Sequence, residues 1–220
     1  MPVNIATLYF SRNPNPRLAV AVARHLAAPV RFEFAAPLAP GQADKYRPLN
    51  PSLRVPILVE NGVSLWEADA IACRLAQLTG SEFWRSGAEL PDMIRWLSWA
   101  RDHFMRACDV VHFERGTKQR YGLGPVDEAL LARGLAAFHD SAAVLDAHLR
   151  ERDWLLRSGL SYADFRMAAF LPFNGVARLP LSDYPAVSAW NERLMALPAW
   201  AEPFEGLEAP QLPPVRGSTG

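Results

Sequence analysis

The sequence is poor in cysteine and has no excess of charge of either sign. Cys73 and Cys108 are its only cysteines and lie in separate predicted helices, so it predicts no disulfide framework and we expect a reducing, cytoplasmic location. The 23 basic residues are balanced by 23 acidic residues, which leaves no basic stripe of the kind that binds nucleic acid. We therefore expect no nucleic-acid partner.

Long hydrophobic runs and metal-ligand motifs are also lacking. The apolar runs are far shorter than the roughly 20 residues needed to cross a bilayer. The first ten residues, MPVNIATLYF, lack the positive start of a signal peptide. The five histidines form no HxxxH pair, and the cysteines form no CxxC pair. We expect no membrane segment, no leader and no metal site.

The first third of the chain alternates strand and helix patterns. Val3 to Phe10 is almost continuously apolar, as buried strands are. Two Asn-Pro steps, Asn13-Pro14 and Asn15-Pro16, predict a turn and a helix start, because Asn caps helices and Pro suits the first helical position. Val30 to Phe34 predicts a second strand beyond Pro29, which completes a βαβ unit.

A predicted hairpin and a helix follow a loose stretch. Asn61-Gly62 separates the apolar run Ile57–Val59 from Val63–Leu65, and this dipeptide suits a type I′ turn because both residues tolerate a positive φ. A helix then opens at Glu67, with apolar residues on one face. The order β-α-β-loop-β-β-α predicts a thioredoxin-like domain over residues 1–79.

The rest of the chain predicts helices only. Residues 80–90 are expected to be a linker, 91–202 an all-helical bundle domain, and 203–220 a proline-rich tail. Two features carry the helical prediction. Leu131 to Leu149 repeats apolar residues at alternating spacings of four and three, and Ser161 to Asp164 resembles a capping box, which makes Asp164 a folding residue.

Lys118–Pro125 contains three glycine or proline residues, which break helices, and it therefore predicts a loop. A long helix is predicted from Met93 to Val111, and a last one over Ala186–Trp200.

The residues around Val55-Pro56 carry a family resemblance. The chain resembles the thioredoxin-fold half of cytosolic glutathione transferases at Val55-Pro56, at the hairpin and at Glu67-Ala68-Asp69-Ala70-Ile71. The resemblance implies a cis proline, a Val55 backbone that pairs with the cysteinyl part of glutathione, and Glu67 at its γ-glutamyl end. Ala68 stands where the family usually has Ser, and its backbone N–H at a helix start remains suited to a carboxylate.

The loop after the first strand is where the resemblance places catalysis. Leu8-Tyr9-Phe10 with Pro14-Asn15 resembles the nu-class and related transferases, in which a Thr-Pro-Asn loop contacts the thiol. Asn15 matches that Asn, Asn13 occupies the Thr position, and Ser11 is a further candidate. The residue that contacts the thiol stays open among these three. Arg54 is the first candidate for binding a carboxylate of glutathione, with Lys45 and Arg47 as alternatives.

The resemblance implies a glutathione transferase that conjugates the glutathione thiolate to a small hydrophobic electrophile. Trp99, His103 and Arg106 on the long helix are candidates for the electrophile pocket. A homodimer is expected by analogy with the family. Two alternatives remain open: glutathione-dependent reduction of a disulfide or peroxide, and a non-catalytic transferase-like binding module.

Overall fold

The computed structural model describes residues 5–215, which divide into two compact units. The first unit holds residues 5–84 and 197–211, and the second holds 85–196 and 212–215. The predicted thioredoxin-like half followed by an all-helical half is confirmed. The sequence pattern had placed residues 197–202 in the helical domain, whereas here they pack on the first helix. The start of the predicted first strand at Val3 and the last part of the predicted tail, residues 216–220, lie outside the described residues.

The first unit is built on a mixed sheet of four strands in the order β2-β1-β3-β4. β1 pairs with β2 in parallel and with β3 antiparallel, and β3 pairs antiparallel with β4. The strands are β1 (Ala6–Phe10), β2 (Val30–Phe34), β3 (Ile57–Glu60) and β4 (Val63–Trp66), and the helices of this unit are α1 (Pro14–His25), α2 (Ala43–Tyr46), α3 (Ala68–Thr79) and, late in the chain, α11 (Pro198–Ala201).

The predicted hairpin turn is confirmed, but its second strand is less buried than its pattern indicates. Asn61 and Gly62 have φ values of 51° and 78°, as a type I′ turn requires. Val63 is 71% exposed and Trp66 is 40% exposed. β4 is the edge strand, so the predicted alternation of buried and exposed residues does not hold there.

The two faces of the sheet are covered differently. Leu8 and Phe10 lie in the core, where α1 packs against α3 and α11. On the other face, Tyr9 meets Tyr46 edge to face, with ring centroids 5.9 Å apart. Arg17 of α1 is buried and donates a hydrogen bond to the Trp200 carbonyl oxygen, which ties α11 to α1.

The second unit is helical. Its α-helices are α4 (Leu90–Asp102), α5 (Phe104–His112), α6 (Lys118–Tyr121), α7 (Glu128–Leu149), α8 (Tyr162–Met167), α9 (Asn174–Ala177) and α10 (Pro185–Met195), with a π-helical turn over Phe113–Thr117. No helix among residues 5–215 is long and apolar enough to cross a membrane.

Three predicted helix boundaries are wrong, two of them for a local reason. The long helix breaks at His103, whose φ and ψ of −124° and −88° are not helical. The predicted loop over Lys118–Pro125 begins as helix α6, because its breakers start only at Gly122, which takes a left-handed φ of 64°. The last helix ends at Met195, and Pro198 begins the separate α11, since proline favours a first helical turn.

The buried seam of α7 is confirmed and includes a glycine. Leu131, Phe138, Leu145 and Leu149 are buried, and Gly134 lies in the same seam. A Cβ atom on Gly134 would lie 2.7 Å from Val110 Cγ1, so a glycine is needed for α5 to approach α7 this closely.

Candidate functional site

Strand register brings three predicted site segments to one end of the sheet. Tyr9 is paired with Ile57, and Ile57 is paired with Trp66. Extending these antiparallel registers sets Ser11 opposite Val55 and sets Pro56 opposite Glu67. The loop after β1, the start of β3 and the start of α3 therefore meet at the same end of the sheet, although they are far apart in the sequence.

The segment before β3 is shaped by a side chain that the sequence analysis did not single out. The Val55-Pro56 bond is cis, as the family resemblance implied. Asn50 is 1% exposed, donates from Nδ2 to the Arg54 carbonyl oxygen at 2.9 Å, and accepts at Oδ1 from the Ser52 N–H at 3.0 Å. Asn50 thus closes the turn that leads into Val55. The Asn-Pro-Ser sequence at 50–52 is a recognisable signal for such a turn.

The loop after β1 contains a hydrogen-bonded pair of candidate residues. Ser11 is 7% exposed, and its Oγ accepts a hydrogen bond from Asn13 Nδ2 at 3.2 Å. Because that bond uses an acceptor lone pair, the Ser11 hydroxyl keeps its own hydrogen for donation. Asn13 is the N-cap residue of α1, but its side chain makes no capping hydrogen bond in the described chain.

Asn15 lies in the first turn of α1 between two prolines. Pro14 and Pro16 have no N–H, so this helix start offers fewer backbone donors than most. The Asn15 side chain is exposed. The donors that this loop can present to an anion are therefore mainly side chains rather than the helix backbone.

The start of α3 holds the predicted acidic position. Glu67 is exposed and has a φ of 74°, an uncommon value for a residue other than glycine. The helix ladder begins with the Ile71 N–H donating to the Glu67 carbonyl oxygen at 3.0 Å. The N–H groups of Ala68 to Ala70 therefore precede the ladder, and such groups are suited to a carboxylate.

The three basic candidates differ in what they already bind. Lys45 Nζ lies 3.3 Å from Glu33 Oε1 and 4.9 Å from the centre of the Tyr46 ring. Arg47 and Arg54 are exposed and make no ion pair within residues 5–215. Arg54 also adjoins Val55, so it is the basic side chain nearest in sequence to the cis bond.

The predicted electrophile-pocket residues come together in the second unit. Trp99, His103 and Arg106 line an open groove of about 590 Å³ between α4, α5 and α7. The rings of Trp99 and His103 lie 5.4 Å apart. Val110 and Ala137 supply part of the apolar lining.

Asp164 in the second unit is a structural residue. It completes the predicted capping box with Ser161 and is fully buried. Its Oδ1 accepts from the Leu155 N–H at 2.9 Å and from Trp190 Nε1 at 3.1 Å. Burial raises the pKa of this carboxyl group to about 6, although these donors favour its ionised form.

Comparison with known proteins connects this fold to glutathione transferases. Residues 108–198 match the family described as "Glutathione S-transferase, C-terminal domain". The chain is 28% identical over 166 residues to FtsZ-localized protein A of Caulobacter vibrioides, covering 71% of this chain and 72% of the relative. It is 27% identical to the dichloromethane dehalogenase of Methylophilus leisingeri, covering 66% of this chain and 58% of that enzyme. It is 25% identical to the disulfide-bond oxidoreductase YfcG of Escherichia coli, covering 72% and 77%.

Solved structures share the fold. A glutathione transferase family member from Pseudomonas fluorescens, solved with two glutathione molecules bound, superposes with a TM-score of 0.79 at 19% identity, covering 93% of this chain and 94% of that one. Glutathione S-transferase-I bound with lactoylglutathione superposes with a TM-score of 0.81 at 20% identity, covering 90% and 98%. At these identities the solved structures show that the chain shares the fold of these glutathione transferases.

Proposed function

We propose that this protein is a glutathione transferase with its thiol site at the end of β1. The observation that carries the proposal is the meeting of Ser11, Val55-Pro56 and Glu67 at one end of the sheet in this fold. Similar folds that bind glutathione or its conjugates support the same ligand.

Stabilising the thiolate is the main chemical task of such a site. A free thiol ionises near pH 8.5, and lowering its pKa by about two units takes roughly 2.7 kcal/mol of preferential anion stabilisation. The Ser11 hydroxyl is the donor we assign to the sulfur, with Asn13 holding that hydroxyl from behind. Asn15, the Asn that matches the nu-class loop, is the second donor.

The remaining parts of glutathione are assigned to backbone and charged groups. The Val55 backbone pairs with the cysteinyl residue, and the Glu67 carboxylate binds the γ-glutamyl amino group. The Ala68 N–H at the start of α3 receives the γ-glutamyl carboxylate. Arg54, which is exposed and has no ion-pair partner in the described chain, binds the glycine carboxylate.

Conjugation then requires only a suitable electrophile. The thiolate attacks an electrophilic carbon, a sulfur–carbon bond forms, and the leaving group departs with its electron pair. Trp99, His103 and Arg106 are assigned to the electrophile pocket on the basis of their shared groove. We also propose a homodimer in the cytoplasm. Exposed Val63 and Trp66 on the edge strand support a subunit contact, and two unpaired cysteines suit a reducing compartment.

Calorimetry and paired activity assays test this proposal. We expect glutathione to bind with measurable heat, and we expect conjugation of a chlorinated aromatic to exceed reduction of a glutathione mixed disulfide. Glu67→Ala is expected to weaken glutathione binding. Glu60→Ala, which removes a carboxylate of β3 that pairs with Arg74 of α3, is the control. Absence of heat at millimolar glutathione would refute the proposal.

Glutathione-dependent disulfide reduction is the second candidate function. The similarity to a disulfide-bond oxidoreductase favours it. The loop after β1 contains no cysteine, so no residue of this loop would form a mixed disulfide with glutathione. Two glutathione molecules at one site would supply both thiols. Preference for a disulfide over the chlorinated aromatic in the paired assays would select this function.

A non-catalytic binding module is the third candidate. It is supported by the similarity to FtsZ-localized protein A and by the loss of the family's Ser at Ala68. This candidate predicts that glutathione neither binds nor reacts, so the calorimetric measurement separates it from both enzymes.

A further inference from the structure

The segment that follows α11 packs against the loop assigned to the thiol. Residues 204–209 belong to the first unit and are here called the C-terminal segment. The Phe204 ring stacks on Phe10, with centroids 5.6 Å apart and planes 19° apart. The Arg12 guanidinium lies 4.6 Å above the same Phe204 ring, and Arg12 Nε donates to the Ala209 carbonyl oxygen at 3.1 Å.

These contacts hold both chain neighbours of Ser11. Phe10 is the last residue of β1 and is 1% exposed, and Arg12 is the first residue after Ser11. One aromatic ring therefore contacts the residue before and the residue after the assigned donor. Arg24 adds a distant anchor by donating to the Glu205 carbonyl oxygen at 2.6 Å.

We propose that the C-terminal segment positions the Ser11 hydroxyl through Phe10 and Arg12, an inference that rests on the proposed function. A donor that is already fixed where negative charge develops needs no reorganisation during the reaction, and this makes it more effective. Phe204, Phe10 and Arg12 are thus positioning residues. Ser11 and Asn15 remain the groups assigned to the sulfur, and Asn13 holds the Ser11 hydroxyl from behind.

A simple anchoring role makes a different prediction. If Phe204 only fastens the end of the chain, its loss lowers thermal stability and leaves the bound thiol unchanged. If it positions Ser11, its loss raises the apparent pKa of enzyme-bound glutathione as well. The thiol pKa is therefore the readout that separates positioning from anchoring.

The test compares Phe204→Leu, which keeps apolar volume without an aromatic face, with Phe204→Tyr, which keeps the ring. We expect Phe204→Leu to raise the apparent pKa of the bound thiol by about one unit, which is a 10-fold change in its ionisation constant, and to lower kcat more than it raises KM for glutathione. Phe204→Tyr should retain the wild-type values. Glu208→Ala, an exposed change in the same segment, is the control.

A double-mutant cycle with Arg12→Ala examines the route of the effect. If Phe204 acts through Arg12, the two substitutions together should raise the thiol pKa by less than the sum of their separate effects. Hydrogen exchange over residues 10–13 should become faster in Phe204→Leu, and this readout does not require glutathione.

The possible failures are distinguishable. A wild-type protein that gives no bound-thiolate absorbance refutes the proposed function and this inference with it. A normal wild-type thiolate with an unchanged thiol pKa in Phe204→Leu refutes this inference alone, even if that variant is less stable.

Discussion

The helix starts of the two units use the same kinds of residue for different purposes. In the second unit, Asp127 accepts a hydrogen bond from the Leu130 N–H at 2.9 Å, and Ser161 forms a full capping box. In the first unit, Asn13 precedes α1 in the same way, but its side chain donates to Ser11 instead. Side chains that only complete a helix are committed to folding, whereas those directed to another side chain of the same loop remain available for a ligand.

Burial differs between these starts as well. Asp164 is fully buried and surrounded by donors, whereas Glu67 at the start of α3 is exposed. A buried carboxylate with every oxygen occupied cannot bind an incoming group, whereas an exposed one can. The comparison therefore predicts large stability effects in the helical unit and activity effects at the end of the sheet where the candidate site lies.

The largest expected effect is that of Asp164→Ala on stability. Removing this carboxylate leaves several buried donors unpaired, which should cost about 3–5 kcal/mol of unfolding free energy. Denaturant unfolding followed by tryptophan fluorescence measures this change. A loss below about 1 kcal/mol would contradict the distinction between helix-start side chains that serve folding alone and those that remain available for a ligand.

The pH dependence of stability should show two opposing contributions from the helical unit. Burial raises the pKa of Asp164 to about 6, so its contribution to stability falls as the pH rises from about 4 to 6. Burial, reinforced by Arg120, lowers the pKa of His112 to about 4, so its contribution rises from about pH 4 to 6.5. Each amounts to about 3 kcal/mol at most.

Single substitutions separate these contributions. Relative to the wild type, Asp164→Asn should gain stability as the pH rises from about 4 to 6, because the falling contribution is removed. His112→Phe should lose stability relative to the wild type over about pH 4 to 6.5. Unfolding free energies measured across this range test both slopes, and parallel curves for all three proteins would contradict the two pKa assignments.

Ser11→Ala should reduce activity without unfolding the protein. Losing one hydrogen bond to a charged sulfur corresponds to a fall in kcat/KM of about 10- to 100-fold. Ser64→Ala, which removes the hydroxyl of a half-buried serine on β4, is the control and should retain activity. A larger fall in Asn15→Ala than in Ser11→Ala would move the main thiol contact to Asn15.

The smallest effects compare two N-cap residues directly. Asp127→Ala should cost about 1 kcal/mol of unfolding free energy, because its side chain caps α7. Asn13→Ala should cost less than about 0.5 kcal/mol but should lower activity, because its side chain contacts Ser11 rather than the helix. Equal stability losses in the two variants would show that Asn13 also serves the helix.

Local patterns were sufficient for much of the fold. The type I′ turn at Asn61-Gly62, the capping box at Ser161 and the apolar seam of α7 each depend on residues a few positions apart, so short-range rules predicted them. The break at His103 and the exposure of Val63 were missed. The exposure of Val63 depends on the order of the strands in the sheet, which a local pattern does not contain.

The candidate site shows the same division. The residue types at Ser11, Asn13, Asn15, Arg54 and Glu67 could be selected from motifs, and the roles assigned to them remain predictions. Motifs could not predict which candidate side chains already have a partner, because the Asn13–Ser11 hydrogen bond and the Lys45–Glu33 pair are set by side-chain geometry. Asn50 was overlooked because its role depends on burial beneath the turn that it closes.

By itself, the sequence determined which segments become strands and helices, because periodicity and turn chemistry act over a few residues. Only the tertiary structure decided which of these segments meet. Extending the antiparallel register sets Ser11 opposite Val55, and the Phe204 ring stacks on Phe10, which lies 194 positions earlier in the sequence. Such contacts arise from the packing of distant apolar surfaces, and a local pattern of residues does not record them.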